Sequence, residues 1–125
     1  MLDLSLISVF LVDDSYFLRE RLKHLLADEP GILVTGEASS GRDALAGVAR
    51  QHFDLVLLDI SLPDLTGFDV LLQLKQTQPT LPILMLTAHS EPQYVAKALR
   101  LGAAGYVTKD QIHEKLVAAV RAAAA

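Results

Sequence analysis

Leu55-Val56-Leu57-Leu58-Asp59 decides how this chain folds: four consecutive apolar residues, with no polar position among them, closed by an aspartate. A strand with one wet face alternates polar with apolar residues, whereas a strand covered on both faces, as in a parallel sheet flanked by helices, does not. Working outward, Ile7 to Val12, Ile32 to Val34, Ile83 to Leu86 and Ala103 to Val107 are compact apolar stretches of the same kind. Four of the five runs end in residues that handle anions or cations: Val12-Asp13-Asp14, Leu58-Asp59, Leu86-Thr87 and Val107-Thr108-Lys109. If they are neighbouring parallel strands, their carboxyl ends converge, and three carboxylates, a hydroxyl and an ammonium meet at one edge.

Between the runs the apolar spacing is helical: Leu18, Leu22, Leu25 and Leu26; Leu45, Val48 and Ala49; Phe68, Leu71 and Leu72; Val95, Ala98 and Leu99; Ile112, Leu116 and Val120. Ser40 to Asp43, Thr66 to Asp69 and Ser90 to Gln93 each set a hydroxyl three residues before an acid or amide, which predicts a capping box or a near relative at three helix starts. Gly102 stands where a left-handed helix end belongs, and Pro79 and Pro82 bracket the entry to the fourth strand. The order is β-α five times over. A closed eight-unit barrel typically needs about 250 residues, and this chain has 125, so the reading is an α/β doubly wound five-stranded parallel sheet with five flanking helices, a single domain over residues 1–125.

Hydrophobic residues make up 51% of the chain but come in short separate runs, none near the roughly 20 residues of a membrane span. Met1-Leu2-Asp3-Leu4 lacks the basic segment that opens a secretion signal, and there is no cysteine for a disulfide framework, which sets the expectation of a cytoplasmic protein. Net charge is −4 and the basic residues are scattered, so direct contact with nucleic acid is not expected. The Ala-rich end, Ala118 to Ala125, favours helix by propensity.

One of Asp13, Asp14 and Ser15 can simply cap the first helix. Asp59 adds a second reading, because the third strand of a doubly wound sheet lies beside the first and three carboxylates then crowd together. Such crowding is costly unless a cation or proton occupies the site. Mg²⁺ suits it: a hard cation that takes oxygen ligands octahedrally and is commonly held by one or two carboxylates plus a phosphate. Thr87 alone reads as a strand residue and Lys109 alone as a solvated charge. Together they place a hydroxyl donor and a positive charge on either side of Asp59, the preorganised groups that stabilise a transferring phosphoryl. The set points to Mg²⁺-assisted phosphoryl transfer to aspartate. His24, His52 and His113 lie in or just after helical segments with no second ligand at metal spacing and read as solvated or partly packed, so the phosphoryl group must come from a partner.

Along nearly its whole length the chain resembles a receiver domain of two-component response regulators. The matching stretches are Val12 to Ser15, Leu57-Leu58-Asp59-Ile60-Ser61-Leu62-Pro63-Asp64 up to Gly67, Leu86-Thr87-Ala88, and Gly105 to Asp110. The resemblance implies a flavodoxin-like (CheY-like) strand order, 2-1-3-4-5. It implies that Asp59 is the phosphoacceptor, charged by a sensor histidine kinase, a phosphotransfer protein or a small phosphodonor such as acetyl phosphate. Mg²⁺ would be held by Asp13, Asp14, Asp59 and the backbone carbonyl of Ser61; Lys109 would pair with one phosphoryl oxygen, and the Thr87 hydroxyl and Ala88 N–H would receive another. Tyr106 matches the family's switch aromatic, against its ordinary reading as a strand residue with its hydroxyl in water. Phosphorylation would draw Thr87 toward the site and let Tyr106 turn inward, altering the surface of the fourth helix, fifth strand and fifth helix, through which such domains also pair as homodimers. The implied protein is a signalling switch that catalyses only its own phosphorylation and dephosphorylation.

Asp110 stands where many receivers carry proline, and Gly-Tyr-Val-Thr-Lys-Asp is similar to the LuxR/NarL-type transcriptional regulators, in which a DNA-binding domain follows. Either the domain stands alone or it belongs to a longer regulator, and Ala122 to Ala125 read as a helix or linker cut short. Ser61 and His89, two residues after Asp59 and Thr87, match positions that flank the path of the hydrolytic water. A degenerate receiver that works only as an interaction domain is a third alternative, against which the complete set of acidic, hydroxyl and ammonium residues argues; two enzymatic or binding rivals are weighed beside it. A haloacid-dehalogenase-type phosphohydrolase would want an aspartate where Ser61 stands; a flavodoxin-like mononucleotide site would need anion donors where Asp13 and Asp14 stand.

Overall fold

A computed structural model of the protein describes residues 6–125, so the reading of Met1-Leu2-Asp3-Leu4 lies outside the described residues. The elements alternate as expected: β1 (Ile7–Val12), α1 (Tyr16–Ala27), β2 (Ile32–Ala38), α2 (Gly41–Arg50), β3 (Leu55–Leu58), α3 (Gly67–Thr77), β4 (Ile83–Thr87), α4 (Pro92–Arg100) and β5 (Gly105–Thr108). A 3₁₀ turn (Lys109–Gln111) and a π-helical turn (Ile112–Leu116) then lead into α5 (Val117–Ala124). All strand pairs are parallel, in the order β2-β1-β3-β4-β5.

The unbroken apolar runs serve two cores at once. Along β3, Leu55 and Leu57 face one side with Val9, Leu11, Leu84, Leu86 and Val107, packed on Leu22, Leu26, Leu116 and Val120. Val56 and Leu58 face the other with Phe10, Val12, Ile83 and Met85, packed on Ala44, Val48, Phe68, Leu71, Leu74 and Ala98. Each fully buried Leu, Ile or Val contributes about 1.5–3 kcal/mol, so the sheet is held from both faces. β2 runs on to Ala38, beyond the three residues read as apolar, because an edge strand tolerates the half-exposed Thr35 and Gly36 and the exposed Glu37; a bulge between Val9 and Phe10 accommodates the extra residue.

Ser15 Oγ accepts from Leu18 N at 3.2 Å and so caps α1, which releases Asp13 and Asp14 from that duty. Ser40 caps α2, and Thr66 with Asp69 forms a reciprocal capping box on α3. Ser90 does not cap α4, contrary to the spacing: Pro92 at the first helical position sets the start by its fixed φ, and Glu91 takes the cap place without a side-chain bond. Gly102 has φ +104° just past α4, a conformation other residues adopt only with strain. Leu72 and Leu99, assigned inward by spacing, are exposed, since these helices bury a narrower stripe through Leu71, Leu74 and Ala98. No helix among the described residues is long and apolar enough to cross a membrane.

Candidate functional site

The strand order brings the ends of β1, β3, β4 and β5 side by side, so residues far apart in sequence share one edge. Ligand oxygens of Asp13, Asp14 and Asp59 lie within 4.8 Å of one another; Asp13 and Asp59 are buried and Asp14 is exposed. Lys109 Nζ stands 3.0 Å from Asp59 Oδ2 and 2.9 Å from Asp13 Oδ2. The contact with Asp59 is a directed hydrogen bond, whereas Asp13 Oδ2 is buried and lacks one. Asp13 Oδ1 accepts from Ser15 N at 2.8 Å and Asp59 Oδ1 from Ser61 N at 3.3 Å.

One ammonium therefore faces two buried carboxylates, with a third beside them. Burial holds the Asp13 carboxyl above the usual aspartate range, helped by neighbouring Asp59 and opposed by the Ser15 amide and Lys109. Burial pulls Lys109 down, but its pairing with Asp13 and Asp59 outweighs this and leaves it above the ordinary lysine value. The buried Asp13 Oδ2 without a directed hydrogen bond, in an all-oxygen donor set opening through exposed Asp14, fits a hard divalent cation.

Thr87 is fully buried at the end of β4, and its Oγ1 accepts from His89 N at 3.4 Å. Ala88 follows, exposed. Tyr106 is half-buried in β5 and donates its hydroxyl to the His89 backbone oxygen at 2.6 Å, so the hydroxyl is not simply in water. Burial, with Glu91 and Asp59 nearby, pushes its pKa up to about 12, which keeps it a donor. Ser61 is exposed and its hydroxyl lies 2.9 Å from His89 Nε2. His24, His52 and His113 are all exposed and lie outside the acidic cluster.

Sequence reading assigned no task to three residues that shape this edge. Gly67 is buried against Asp59 and Ile60: its N–H bonds Ile60 O at 2.7 Å, and a Cβ there would meet the Asp59 carbonyl. Asp64 accepts from Gly41 N and Arg42 N, tying the loop after β3 to the start of α2. Arg19 donates to the Asp13 carbonyl at 2.6 Å while pairing with Glu37, which fixes the end of β1. Asp64 and Gly67 left a sequence signal, as positions of the stretch that follows Asp59; Arg19 left none.

Residues 9–121 match the response regulator receiver domain family. The chain is 37% identical over 116 residues to the response regulator UvrY of Escherichia coli K12, covering 93% of this chain and 53% of that protein. It is 38% identical over 119 residues to the transcriptional regulatory protein UhpA of the same strain, covering 95% and 59%; the chain thus spans little more than half the length of these relatives. Among solved structures, a LuxR-family two-component response regulator from Aurantimonas sp. SI85-9A1 superposes with a TM-score of 0.92 at 32% identity, over 96% of this chain and 86% of that one. The response regulator domain of Thermotoga maritima CheB does so with 0.89 at 28%, over 95% and 96%. These matches set aside the phosphohydrolase and mononucleotide-binding alternatives. With its CheY-like strand order and acidic edge, the chain belongs to the response regulator receiver domains, the signalling switches of two-component systems, and its relatives include a transcriptional regulatory protein and a LuxR-family response regulator.

Proposed function

We propose that Asp59 is the phosphoacceptor. One Asp59 carboxylate oxygen attacks the phosphorus of a phosphohistidine on a sensor kinase or phosphotransfer protein; the P–N bond breaks and the imidazole leaves with its electron pair and gains a proton. Lys109, already 3.0 Å from Asp59, pairs with a phosphoryl oxygen, and the Thr87 hydroxyl and Ala88 N–H receive another. Asp13, Asp14 and Asp59, with the Ser61 carbonyl, would hold Mg²⁺. When bound, that ion neutralises charge among the carboxylates and on the phosphoryl oxygens. The observation that carries this reading is the convergence of three carboxylates and one ammonium at the carboxyl edge of the sheet.

An added phosphoryl brings about −1.5 to −2 charges and strong acceptor oxygens. It draws the Thr87 hydroxyl away from His89 N, and the loop after β4 follows. The Tyr106 hydroxyl, anchored on His89 O, carries the change to the α4, β5 and α5 surface. Phosphorylation biases an equilibrium by its differential affinity for the two arrangements. That surface is the output and the site of homodimer formation. The chain is one domain of a longer cytoplasmic regulator whose transcriptional output lies outside it, a reading supported by its coverage of little more than half of UvrY and UhpA.

The test is incubation with Mg²⁺ and acetyl phosphate, followed by intact mass. Wild type takes up phosphoryl, and Asp59→Asn takes up none; an equal adduct on the variant overturns the assignment. For the coupling, Thr87→Ala is expected to accept phosphoryl yet lose the activated-state shifts in its NMR spectrum. A full shift in that variant rules the coupling out.

A further inference from the structure

A second nucleophile is assembled beside the acceptor. Ser61 Oγ lies 2.9 Å from His89 Nε2, and His89 Nδ1 faces Glu91 Oε2 at 3.6 Å. In the tautomer with its hydrogen on Nδ1, toward the carboxylate, the ring leaves Nε2 as the acceptor for the serine hydroxyl. Glu91 is available for this because it heads α4 without a side-chain capping bond. The ring is held edge-on against Tyr94, centroids 5.0 Å apart at 74°. The backbone of His89 is pinned at both ends, its N–H on Thr87 Oγ1 and its carbonyl under the Tyr106 hydroxyl. Ser61 is fixed too, by its bridge to Thr66 and by its own N–H, 3.3 Å from Asp59 Oδ1. Nucleophile, base and orienting acid are thus in sequence next to the carboxylate that takes the phosphoryl group. The His89 and Glu91 side chains lie outside the acidic cluster of Asp13, Asp14 and Asp59.

We propose that Ser61 is a second acceptor, which takes the phosphoryl group from Asp59 with His89 as base. The proposal rests on the reading of Asp59 as first acceptor. An Oγ lone pair attacks phosphorus, the bond from phosphorus to the Asp59 carboxylate oxygen breaks, and its electron pair returns to the carboxylate. The hydroxyl proton passes to His89 Nε2, and the imidazolium is held by Glu91. Aspartate and phosphoserine are the products, and no further reactant is needed. The transfer runs from a mixed anhydride to an ester, and phosphate monoesters are among the slowest species to hydrolyse uncatalysed. A short-lived signal would be converted into one that outlasts its kinase.

Acyl phosphates are cleaved by hydroxylamine and serine phosphate esters are not. The full chain is incubated with Mg²⁺ and acetyl phosphate, split into samples with and without hydroxylamine, and analysed by intact mass and fragmentation. A hydroxylamine-resistant phosphoryl group on Ser61 is expected, absent from Ser61→Ala and from Asp59→Asn and reduced tenfold or more in His89→Ala. If untreated wild type carries phosphoryl and hydroxylamine removes all of it, transfer to Ser61 is overturned while Asp59 stands as acceptor. A resistant group that persists in Asp59→Asn overturns transfer in favour of direct modification, and one undiminished in His89→Ala overturns the base. A wild-type chain that takes up no phosphoryl in either sample overturns the first acceptor and the second with it.

Discussion

Gly67 shows how much of the acceptor's position depends on a side chain that is not there. A Cβ at this position would sit 2.6 Å from Ile60 Cα and closer still to the Asp59 carbonyl, and backbone cannot give way as a flexible side chain can. Gly67→Ala is expected to cost about 1–3 kcal/mol of stability, read from urea unfolding, and to slow acyl phosphate formation because the end of β3 must move; an unchanged urea midpoint and rate would contradict this. The contrast with Asp59 explains what was readable. Asp59 announces itself because a charge closing an apolar run is a local anomaly, whereas the demand on Gly67 arises only when α3 is laid against β3. Thr87 and Lys109, each unremarkable alone, were legible only in combination with Asp59, because their runs end on the same side of the sheet. The Ser61–His89–Glu91 alignment depends on how the loop after β4 folds over its neighbour, and spacing along the chain does not encode it.

Among the elements, the strands were readable because each must satisfy two cores at once, which removes polar residues from its interior. Helix faces were less so: spacing marks which residues are apolar, not how wide a stripe the neighbour covers, hence the exposed Leu72 and Leu99. Side-chain ties between elements were not visible at all. Asp54, just before β3, accepts from Ser8 N at 2.9 Å and Ser8 Oγ at 3.0 Å, fastening the α2–β3 turn to β1. The Ser8 amide holds its carboxyl below the usual range, with smaller help from His52 and the Ser8 hydroxyl. A depressed folded pKa contributes stability that is fully present above the unfolded value of 3.8 and is lost as pH falls through the lower folded value. Asp54→Asn should therefore lower stability by about 0.5–1 kcal/mol at pH 7, because the carboxylate is over a third exposed and solvent screens its hydrogen bonds. The gap from wild type should narrow below pH 3.8; urea midpoints across the acid range check both, and a gap that widens in acid would refute the assignment.

For the molecule as a whole, folding stability and site occupancy are linked, because the acidic cluster exists only when β1 and β3 lie side by side. An ion that binds the folded chain alone raises unfolding free energy by about 2.7 kcal/mol at a hundred times its Kd. Thermal or urea unfolding in EDTA and in rising Mg²⁺ should show this saturating gain in wild type and little of it in Asp13→Asn; equal gains in both would remove Asp13 from the ligand set. The chain runs from Lys109 directly into the segment that leads to α5. An overwound 3₁₀ turn and an underwound π turn lie in series there, and between them they keep Ile112, Leu116 and Val120 all buried. The π turn carries one residue of slack. Drawing it tight into ordinary α geometry would rotate α5 by about 100° and shift it by about 1.5 Å along its axis. A tug on one ammonium could then be delivered to the opposite flank as torsion, with no strand displaced.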